Sequence, residues 1–303
     1  MFPKVPDQHK PNKPLIPNGL GVIYVLVSVV YLFLIFFFNV FDAARAMPQN
    51  GATLPLNLAA LAPLILAVCI LFGGFLGMLD DWMDLKWRYK AFLPLIAAIP
   101  LSSFAYALGL RTSLTVPFLF EINFGVYYYF IIVPVLVTIF TNTVNQLGGL
   151  NGLETICPAI VLVGLMAMSV SNANLLYVPL ITWLVLAVLN FRGRIFVGNT
   201  GSFTIGMTLA SFAIISDLKF DLAISLLPYI FNSCLILLAF FFYRKKGSLS
   251  FDGKKLFSDH RRSLITVITY RRPLTERQVV MVISLLIALT TIMATVFQYL
   301  VLK

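Results

Sequence analysis

Long apolar segments, separated by short polar ones, run along almost the whole chain. An apolar stretch of about 20 residues crosses a bilayer as an α-helix, and helices satisfy their own backbone groups in hydrocarbon. The pattern predicts nine such spans, with approximate bounds at 20–40, 55–79, 91–110, 126–142, 153–171, 174–192, 202–217, 221–243 and 278–302. The predicted fold class is therefore an all-α polytopic membrane protein, a bundle of about nine transmembrane helices.

Two segments depart from this pattern. Residues 112–125 are short, rich in β-branched residues and interrupted by Pro117, which predicts a short external hairpin. Residues 1–19 are polar and proline-rich and lack the apolar core of a signal peptide, which predicts a cytoplasmic N-terminal tail. We expect the remainder, 20–303, to form a single transmembrane domain.

The composition excludes an ordinary soluble protein. The 303 residues are 60% hydrophobic and only 11% charged, whereas an ordinary globular chain is about 25% charged. The mean hydropathy is +0.93. The three cysteines, Cys69, Cys157 and Cys234, lie in apolar runs without the spacing of metal ligands, so we expect them to be packing residues.

The distribution of Lys and Arg predicts the orientation in a cell membrane. With the N-terminus inside, the cytoplasmic segments hold 18 of the 22 basic residues and the external segments hold 4. This bias is the positive-inside pattern, and it predicts a cytoplasmic N-terminus and an external C-terminus. The net charge of +10 then belongs mainly to one face, where it favours anionic lipid. We expect no nucleic-acid partner, because no motif supports one.

Four polar clusters fall on the predicted cytoplasmic side, in loops 80–90, 143–152, 193–201 and 244–277. Their sequences are DDWMDLKWRYK, NTVNQLGGLNGLE, RGRIFVGNTGS and RKKGSLSFDGKKLFSDHRRS. Acids, amides, glycines and bases that gather on one face of a membrane bundle predict a single functional site.

The first cluster places two acids side by side, Asp80 and Asp81, with Asp84 close behind. Adjacent carboxylates repel each other unless a cation lies nearby, which favours a cation site or a proton acceptor. Lys90 is placed to neutralise a substrate phosphate. The structural alternatives are a solvated helix end and a snorkelling lysine at the membrane boundary.

The second and third clusters combine amides with glycines. Asn145 offers an oxygen of the kind that Mg²⁺ prefers, and the backbone around Gly149 can form an anion-binding nest for substrate. Asn151 and the aromatic Phe196 are candidates for holding a base or sugar. The alternative for the second cluster is a plain helix-breaking loop, and the third cluster is weak by itself.

The fourth cluster is the only long polar loop and is strongly basic. His260 precedes Arg261 and Arg262, and Arg binds phosphate oxygens in a bidentate manner. A juxtamembrane patch for anionic lipid is the alternative, particularly for the lysines of the loop. Together the four clusters predict a site for Mg²⁺, a diphosphate, an aromatic base and a lipid phosphate.

In the motifs of these clusters, the chain resembles the polyprenyl-phosphate N-acetylhexosamine-1-phosphate transferases. The resemblance runs from about residue 13 to the end and rests on LDDWMDLKWRYKAFLP, NTVNQLGGLNGLE, RIFVGNTGSF and PLTERQ. These motifs are most similar to the eukaryotic and archaeal branch. The resemblance implies transfer of GlcNAc-1-phosphate from UDP-GlcNAc to dolichyl or polyprenyl phosphate in the bilayer, giving a lipid-linked diphosphate sugar and UMP.

The resemblance also implies roles for individual residues. Asp80, Asp81 and Lys90 match the catalytic positions, and Asn151, Phe196, His260 and Arg261 match substrate-binding positions. Asp84 is assigned to substrate binding at a position where the eukaryotic branch usually has Asn. Asn145 matches one metal-binding position, and Asn199 occupies the other. The implied cofactor is Mg²⁺, with Mn²⁺ as a substitute, and members often form homodimers. One in-line displacement is the favoured mechanism, with a covalent aspartyl-phosphate intermediate as the alternative.

Two departures from the family pattern matter. Asn199 stands where the family has a metal-binding aspartate, so the chain is a weakened natural variant, an engineered inactive form, or a protein in which Asp84 compensates. The family bundle has ten helices, and the nine predicted here correspond to loss of the first. A non-catalytic membrane scaffold or transporter is the competing hypothesis, although a transporter is expected to carry ionisable residues within its spans.

Overall fold

The structure, a computed structural model, describes residues 2–45, 58–116, 120–243 and 248–301. Four basic residues of the predicted segments, Arg244, Lys245, Lys246 and Lys303, lie outside these ranges, as does the beginning of the predicted second span.

Most of the described chain is helical. The α-helices are α1 Gly21–Arg45, α2 Leu58–Met83, α3 Trp87–Ala97, α4 Ile99–Ala107, α5 Val133–Gln146, α6 Leu153–Met168, α7 Tyr177–Phe191, α8 Gly198–Ile215, α9 Lys219–Ser225, α10 Leu227–Leu238, α11 Leu264–Ile268 and α12 Glu276–Val301. Tyr128–Ile132 and Ala239–Tyr243 are π-helical, and Val170–Leu176 is a 3₁₀-helix. Three antiparallel hairpins pair β1 Lys4–Pro6 with β2 Leu15–Pro17, β3 Ser113–Val116 with β4 Phe120–Asn123, and β5 Ser250–Phe251 with β6 Leu256–Phe257.

The helices confirm an all-α polytopic membrane protein, but the predicted count of nine spans is not confirmed. Within the described ranges, six helical segments are long and apolar enough to cross a membrane, and a seventh is added if α9 and α10 form one span bent by 67°. Helix α6 has only 16 residues. Helix α8 carries several Thr, Ser and Gly residues, which lower its mean hydropathy. The predicted span 202–217 omitted its polar first residues and therefore looked more apolar than the helix is.

Helix α8 lies at the centre of the bundle, buried along nearly its whole length from Thr200 to Ile215. It packs mainly against α2 and α5. The contact with α2 is so close that a Cβ atom at Gly77 would collide with the backbone of Asn199 and Thr200. The absence of a side chain at Gly77 therefore brings the end of α2, with its acids, onto the beginning of α8.

The first residues of the chain form a hairpin rather than a free tail. Strands β1 and β2 pair with each other, and the segment after them pairs with the loop before α8. Phe196 N–H donates to Pro17 O at 2.8 Å, and Gly21 N–H donates to Val197 O at 2.9 Å. The prediction of a tail over 1–19 missed this structure, because its hydrogen-bond partners lie almost 180 positions further along.

The predicted hairpin at 112–125 is present as β3 and β4. It lies at the opposite end of the bundle from the acids of α2, since Lys219, just beyond the C-terminus of α8, donates to Ser113 O of β3. Helix α8 has 18 residues, so the two ends are separated by about 27 Å at 1.5 Å per residue. We call these two regions the site end and the hairpin end.

Candidate functional site

Asp80 is a buried carboxylate at the end of α2. Its side chain is 1% exposed, and its Oδ1 lies 2.8 Å from Lys90 Nζ and accepts the Leu85 N–H at 3.1 Å. Its other oxygen, Oδ2, is buried and finds no hydrogen-bond partner in the described part of the chain. The helix ends at Met83, so Asp84 leaves it with φ of +45°, fully exposed and 3.7 Å from Lys90.

Asp81 points away from Asp80 and onto the N-terminus of α8. Its Oδ1 accepts the Asn199 N–H at 2.8 Å, and its Oδ2 accepts the Thr200 N–H at 2.9 Å and the Thr200 hydroxyl at 2.7 Å. The first N–H groups of a helix lack partners within the helix and carry partial positive charge. Asp81 therefore acts as a cap supplied by another helix, and the two adjacent acids avoid repulsion by facing different partners.

A small polar cavity of about 220 Å³ lies beside this cap. Three of the four polar clusters and the N-terminal hairpin contribute to it, and it is lined by Val5, Asn18, Asp81, Asn145, Glu154, Phe196, Gly198, Asn199 and Ser202. None of these described lining residues is Lys, Arg or His. Two carboxylates thus face a cavity whose wall supplies no positively charged side chain.

Asn145 and Glu154 are held in the cavity wall by hydrogen bonds. Asn145 Oδ1 accepts the Ser202 hydroxyl at 2.6 Å, and Glu154 Oε1 accepts the Gly149 N–H at 2.9 Å. A Cβ atom at Gly148 would lie 2.6 Å from Glu154 Oε1, so the glycine turn leaves room for the Glu154 side chain to fold back. Gly149 itself has φ of +89°, a left-handed conformation that favours glycine.

A second, larger cavity of about 690 Å³ adjoins the first, and Asn145 lines both. We call it the groove. Its apolar wall comes from α3, α10 and the π-helical segment after α10, with Trp87 and Phe240 in contact at 5.1 Å between ring centroids. Lys86, Lys90 and Arg262 supply positive charge, and Asp84 lies at the same wall. The groove thus combines an apolar surface with three cationic side chains.

Asn151 lies in neither cavity wall. It is 4% exposed, and its Nδ2 donates to Asp7 Oδ2 at 2.8 Å and to Glu276 Oε1 at 2.9 Å. Its backbone N–H also donates to Glu276 Oε1 at 2.7 Å. This contact joins the N-terminal hairpin, the second cluster and the start of α12, so Asn151 links three distant segments.

His260 and Arg261 also lie outside both walls. His260 Nε2 accepts the Ser248 N–H at 2.9 Å, and the guanidinium of Arg261 lies 4.2 Å from the centre of the Tyr270 ring. Arg262, the next residue, lines the groove. Among the other predicted residues, Phe196 and Asn199 line the small cavity, and Lys90 lines the groove.

The sequence interpretation missed several residues that build this site. Asp7 and Asn18 contribute from segments that carried no recognised motif, whereas Glu276 lies in PLTERQ and Glu154 in NTVNQLGGLNGLE, and neither was assigned to the site. No local signal identifies Asp7, because its hydrogen bond joins it to Asn151, 144 positions away. Glu276 contacts the same Asn151 from 125 positions away. The NGLE motif was the one signal that could have directed attention to Glu154.

The small cavity fits a divalent cation of the Mg²⁺ type. Mg²⁺ takes oxygen ligands, and in enzymes it is held by one or two carboxylates together with waters and substrate phosphates. The cavity offers the side-chain oxygens of Asp81, Asn145, Glu154 and Asn199. Within the described ranges, no group of three His, Cys, Asp or Glu residues gathers as a metal cage.

The chain is similar to a known family and to several known proteins. Residues 63–217, just over half of the chain, match glycosyl transferase family 4. A protein of Saccharolobus solfataricus, provisionally named a UDP-N-acetylglucosamine–dolichyl-phosphate N-acetylglucosaminephosphotransferase, is 29% identical over 96% of this chain and 87% of its own length. Proteins of Schizosaccharomyces pombe and Dictyostelium discoideum that carry this name are each 30% identical, over 76% and 72% of this chain and 59% of their own lengths.

Proposed function

Because the chain belongs to glycosyl transferase family 4, we propose that it transfers GlcNAc-1-phosphate from UDP-GlcNAc to dolichyl phosphate or a related polyprenyl phosphate. The products are a lipid-linked diphosphate GlcNAc and UMP, the first lipid-linked intermediate of a glycan. The names of the archaeal and eukaryotic relatives support this reaction.

The observation that carries the proposal is the shared wall between two unlike cavities. A polar cavity suits a nucleotide diphosphate, and an apolar groove with Lys90 and Arg262 suits a phosphate on a hydrocarbon chain. Asn145 lines both, so two substrates would meet at that residue. A scaffold needs no such pair of cavities, and a transporter is expected to place charges within its spans.

On the donor side, the chain binds and orients. Phe196 offers a ring for stacking a base at one wall, and Asn18 and Ser202 offer hydrogen bonds. The N-terminal hairpin closes one side of the cavity, because Val5 lines it and Asp7 ties the hairpin to Asn151. Holding both substrates in a fixed geometry supplies a large part of the rate enhancement of such a reaction.

On the acceptor side, the chain neutralises charge. A phosphate monoester has a second pKa near 6 and is largely dianionic at neutral pH, so removing its proton is a small task. The harder task is to bring a dianion to a negatively charged diphosphate, and Lys90 and Arg262 reduce that repulsion. An acceptor oxygen then forms a bond to the sugar-bearing phosphorus, while the bond from that phosphorus to the bridging oxygen breaks and UMP leaves with that oxygen.

Asp80 and the cation have supporting roles in this mechanism. Asp80 Oδ1 holds Lys90 in place, and its Oδ2 is the free buried oxygen that can orient the acceptor or accept a proton. A Mg²⁺ ion, held among Asp81, Asn145, Glu154 and Asn199, would supply positive charge to the donor diphosphate. This arrangement favours a single in-line displacement, because the Asp81 oxygens are engaged with α8 and Asp80 is engaged with Lys90.

We further propose that the site end faces the cytoplasm. The bias of 18 basic residues to 4 supports this orientation. A cysteine introduced at exposed Asp259 should react with an impermeant thiol reagent only from the cytoplasmic side, while reaction from outside would reverse the orientation. The homodimer implied by the family resemblance stays a prediction.

The test of the function is release of UMP by the purified full chain in lipid nanodiscs. With UDP-GlcNAc, dolichyl phosphate and Mg²⁺ we expect UMP and a GlcNAc-bearing lipid diphosphate, with neither formed when the lipid acceptor or the cation is omitted. Asp42→Asn is a matched control, since Asp42 is exposed near the C-terminal end of α1. Absence of both turnover and UDP-GlcNAc binding would exclude the transferase in favour of a non-catalytic membrane protein.

A further inference from the structure

We propose that Glu154 supplies the anionic oxygen that the metal site loses through Asn199, an inference that rests on the proposed function for the identity of the bound diphosphate. Asn145 and Asn199 each offer one neutral amide oxygen, which binds Mg²⁺ more weakly than a carboxylate does. A second source of negative charge is therefore needed in the same cavity. The acids that line the two cavities are Asp81, Glu154 and Asp84, whereas Asp80 lines neither and pairs with Lys90.

Asp81 uses most of its hydrogen-bonding capacity at the N-terminus of α8. A carboxylate has about four lone-pair positions, and Asp81 already accepts three hydrogen bonds, from two backbone N–H groups and the Thr200 hydroxyl. Its charge is also offset by the partial positive charge of the helix N-terminus. Drawing Asp81 fully into a metal site would leave the first N–H groups of α8 without their cap.

Asp84 lies outside the small cavity. It is fully exposed, lies beyond the end of α2 in the left-handed conformation, and faces Lys90 and the groove rather than the small cavity. Its charge is balanced by the Lys90 ammonium. The compensation by Asp84 that the sequence left open therefore has no support in the geometry.

Glu154 lies in the small cavity and keeps one carboxylate oxygen without a hydrogen bond in the described residues. It lines the same small cavity as Asn145 and Asn199, and among the described residues only its Oε1 accepts a hydrogen bond, from Gly149. No described lining residue of that cavity is cationic, so the charge of Glu154 is balanced by no side chain there. A donor diphosphate would bring further negative charge, and a divalent cation at Glu154 resolves the repulsion.

The experiment measures Mn²⁺ binding to the full chain in nanodiscs by electron paramagnetic resonance, with Mn²⁺ alone and with Mn²⁺ plus UDP. Glu154→Gln should raise the Mn²⁺ dissociation constant by about tenfold or more. Asp84→Asn removes the same charge outside the cavity and should leave the constant unchanged. Equal shifts in the two variants, or none in Glu154→Gln, would overturn the inference.

A second variant separates a lost ligand from a damaged fold. Glu154→Gln keeps an oxygen that can accept the Gly149 N–H, so its unfolding temperature without metal should match that of the parent chain. Asn199→Asp in the Glu154→Gln background returns a carboxylate to the cavity and should restore Mn²⁺ binding. Failure of this rescue would contradict the inference even if the single variant proved unstable.

The inference and the proposed function can fail separately. If UMP is released but Glu154→Gln binds Mn²⁺ normally, the role of Glu154 is wrong and the transferase stands. If no UMP is released under any condition but Glu154→Gln still weakens Mn²⁺ binding, the cation site stands and the reaction is wrong.

Discussion

The two ends of α8 carry polar clusters of similar composition that balance their charges in different ways. At the hairpin end, Arg111 lies 2.9 Å from Glu121 and 3.5 Å from Asp217, and Lys219 lies 2.7 Å from Asp217. Lys219 also donates to two backbone carbonyls and lies over the ring of Tyr128. Glu121 and Asp217 each meet a cationic side chain, so these two acids are balanced without a ligand. The neighbouring Asp221 is buried, and its Oδ1 finds no hydrogen-bond partner in the described residues.

At the site end the acids meet different partners. Asp81 and Glu154 accept hydrogen bonds from backbone N–H groups, and their cavity has no cationic residue in its described wall. On the groove side, Asp80 and Asp84 both pair with Lys90. The acids of the site end that lack a cationic partner in the described ranges, Asp81 and Glu154, are therefore the candidates for binding a cation, whereas the ion pairs of Glu121 and Asp217 stabilise the hairpin end.

The largest expected effect is at Asp80, whose buried carboxylate pairs with Lys90 of the groove. Asp80→Asn removes the charge that holds Lys90 and the free oxygen Oδ2, so kcat/KM for UMP release should fall by at least about 100-fold. The control Asp42→Asn should retain full activity. An Asp80→Asn protein with undiminished turnover would remove this acid from the mechanism and leave Lys90 without a catalytic partner.

The next effect concerns the cap at Asp81. Asparagine cannot accept all three hydrogen bonds that the carboxylate accepts, so Asp81→Asn should lower the free energy of unfolding by about 1–2 kcal/mol. The unfolding temperature without ligand should fall, whereas that of Glu154→Gln should not. The catalytic role implied by the family resemblance predicts lost turnover alone. Unchanged thermal stability would show that the cap contributes little.

A smaller effect is expected at Asp7, which anchors the N-terminal hairpin. Asp7→Asn replaces a charged hydrogen bond to Asn151 with a neutral one and should weaken it by about 1 kcal/mol. The KM for UDP-GlcNAc should rise by about fivefold with little change in kcat, since the hairpin walls only the small cavity. Asp259→Asn, at an exposed position, is the matched control. An equal rise in KM for the lipid acceptor would contradict this division of the cavities.

The smallest effect is at the hairpin end. A hydrogen bond from Ser113 and then the Arg111 guanidinium lower the pKa of Glu121. A lowered pKa contributes stability above the ordinary value for glutamate, about 4.3, and that stability is lost as pH falls through the folded-state pKa. Glu121→Gln should therefore lower the unfolding temperature slightly at pH 7 but not at pH 3, with UMP release unchanged. Altered turnover would mean that the two ends are coupled.

Local patterns and motifs predicted the helical class, the β3–β4 hairpin and the family, because each depends on neighbouring residues. The count of nine spans is not confirmed, because α6 is short and polar residues lower the hydropathy of α8. The cap of α8 by Asp81 and the hairpin anchor at Asp7 join residues more than 100 positions apart. Sequence order carries no signal for such contacts. Which of Arg261 and Arg262 lines the groove depends on the path of the loop backbone, and a sequence motif does not define that path.

The most direct measurement is the yield of both products from the unmodified chain in nanodiscs. Supplied with UDP-GlcNAc, dolichyl phosphate and Mg²⁺, it should form UMP and GlcNAc-bearing lipid diphosphate in equal amounts, and chelation of the cation should stop both. UMP formed without the lipid product, or neither product from a chain that retains its fold, would contradict the account of two cavities meeting at Asn145.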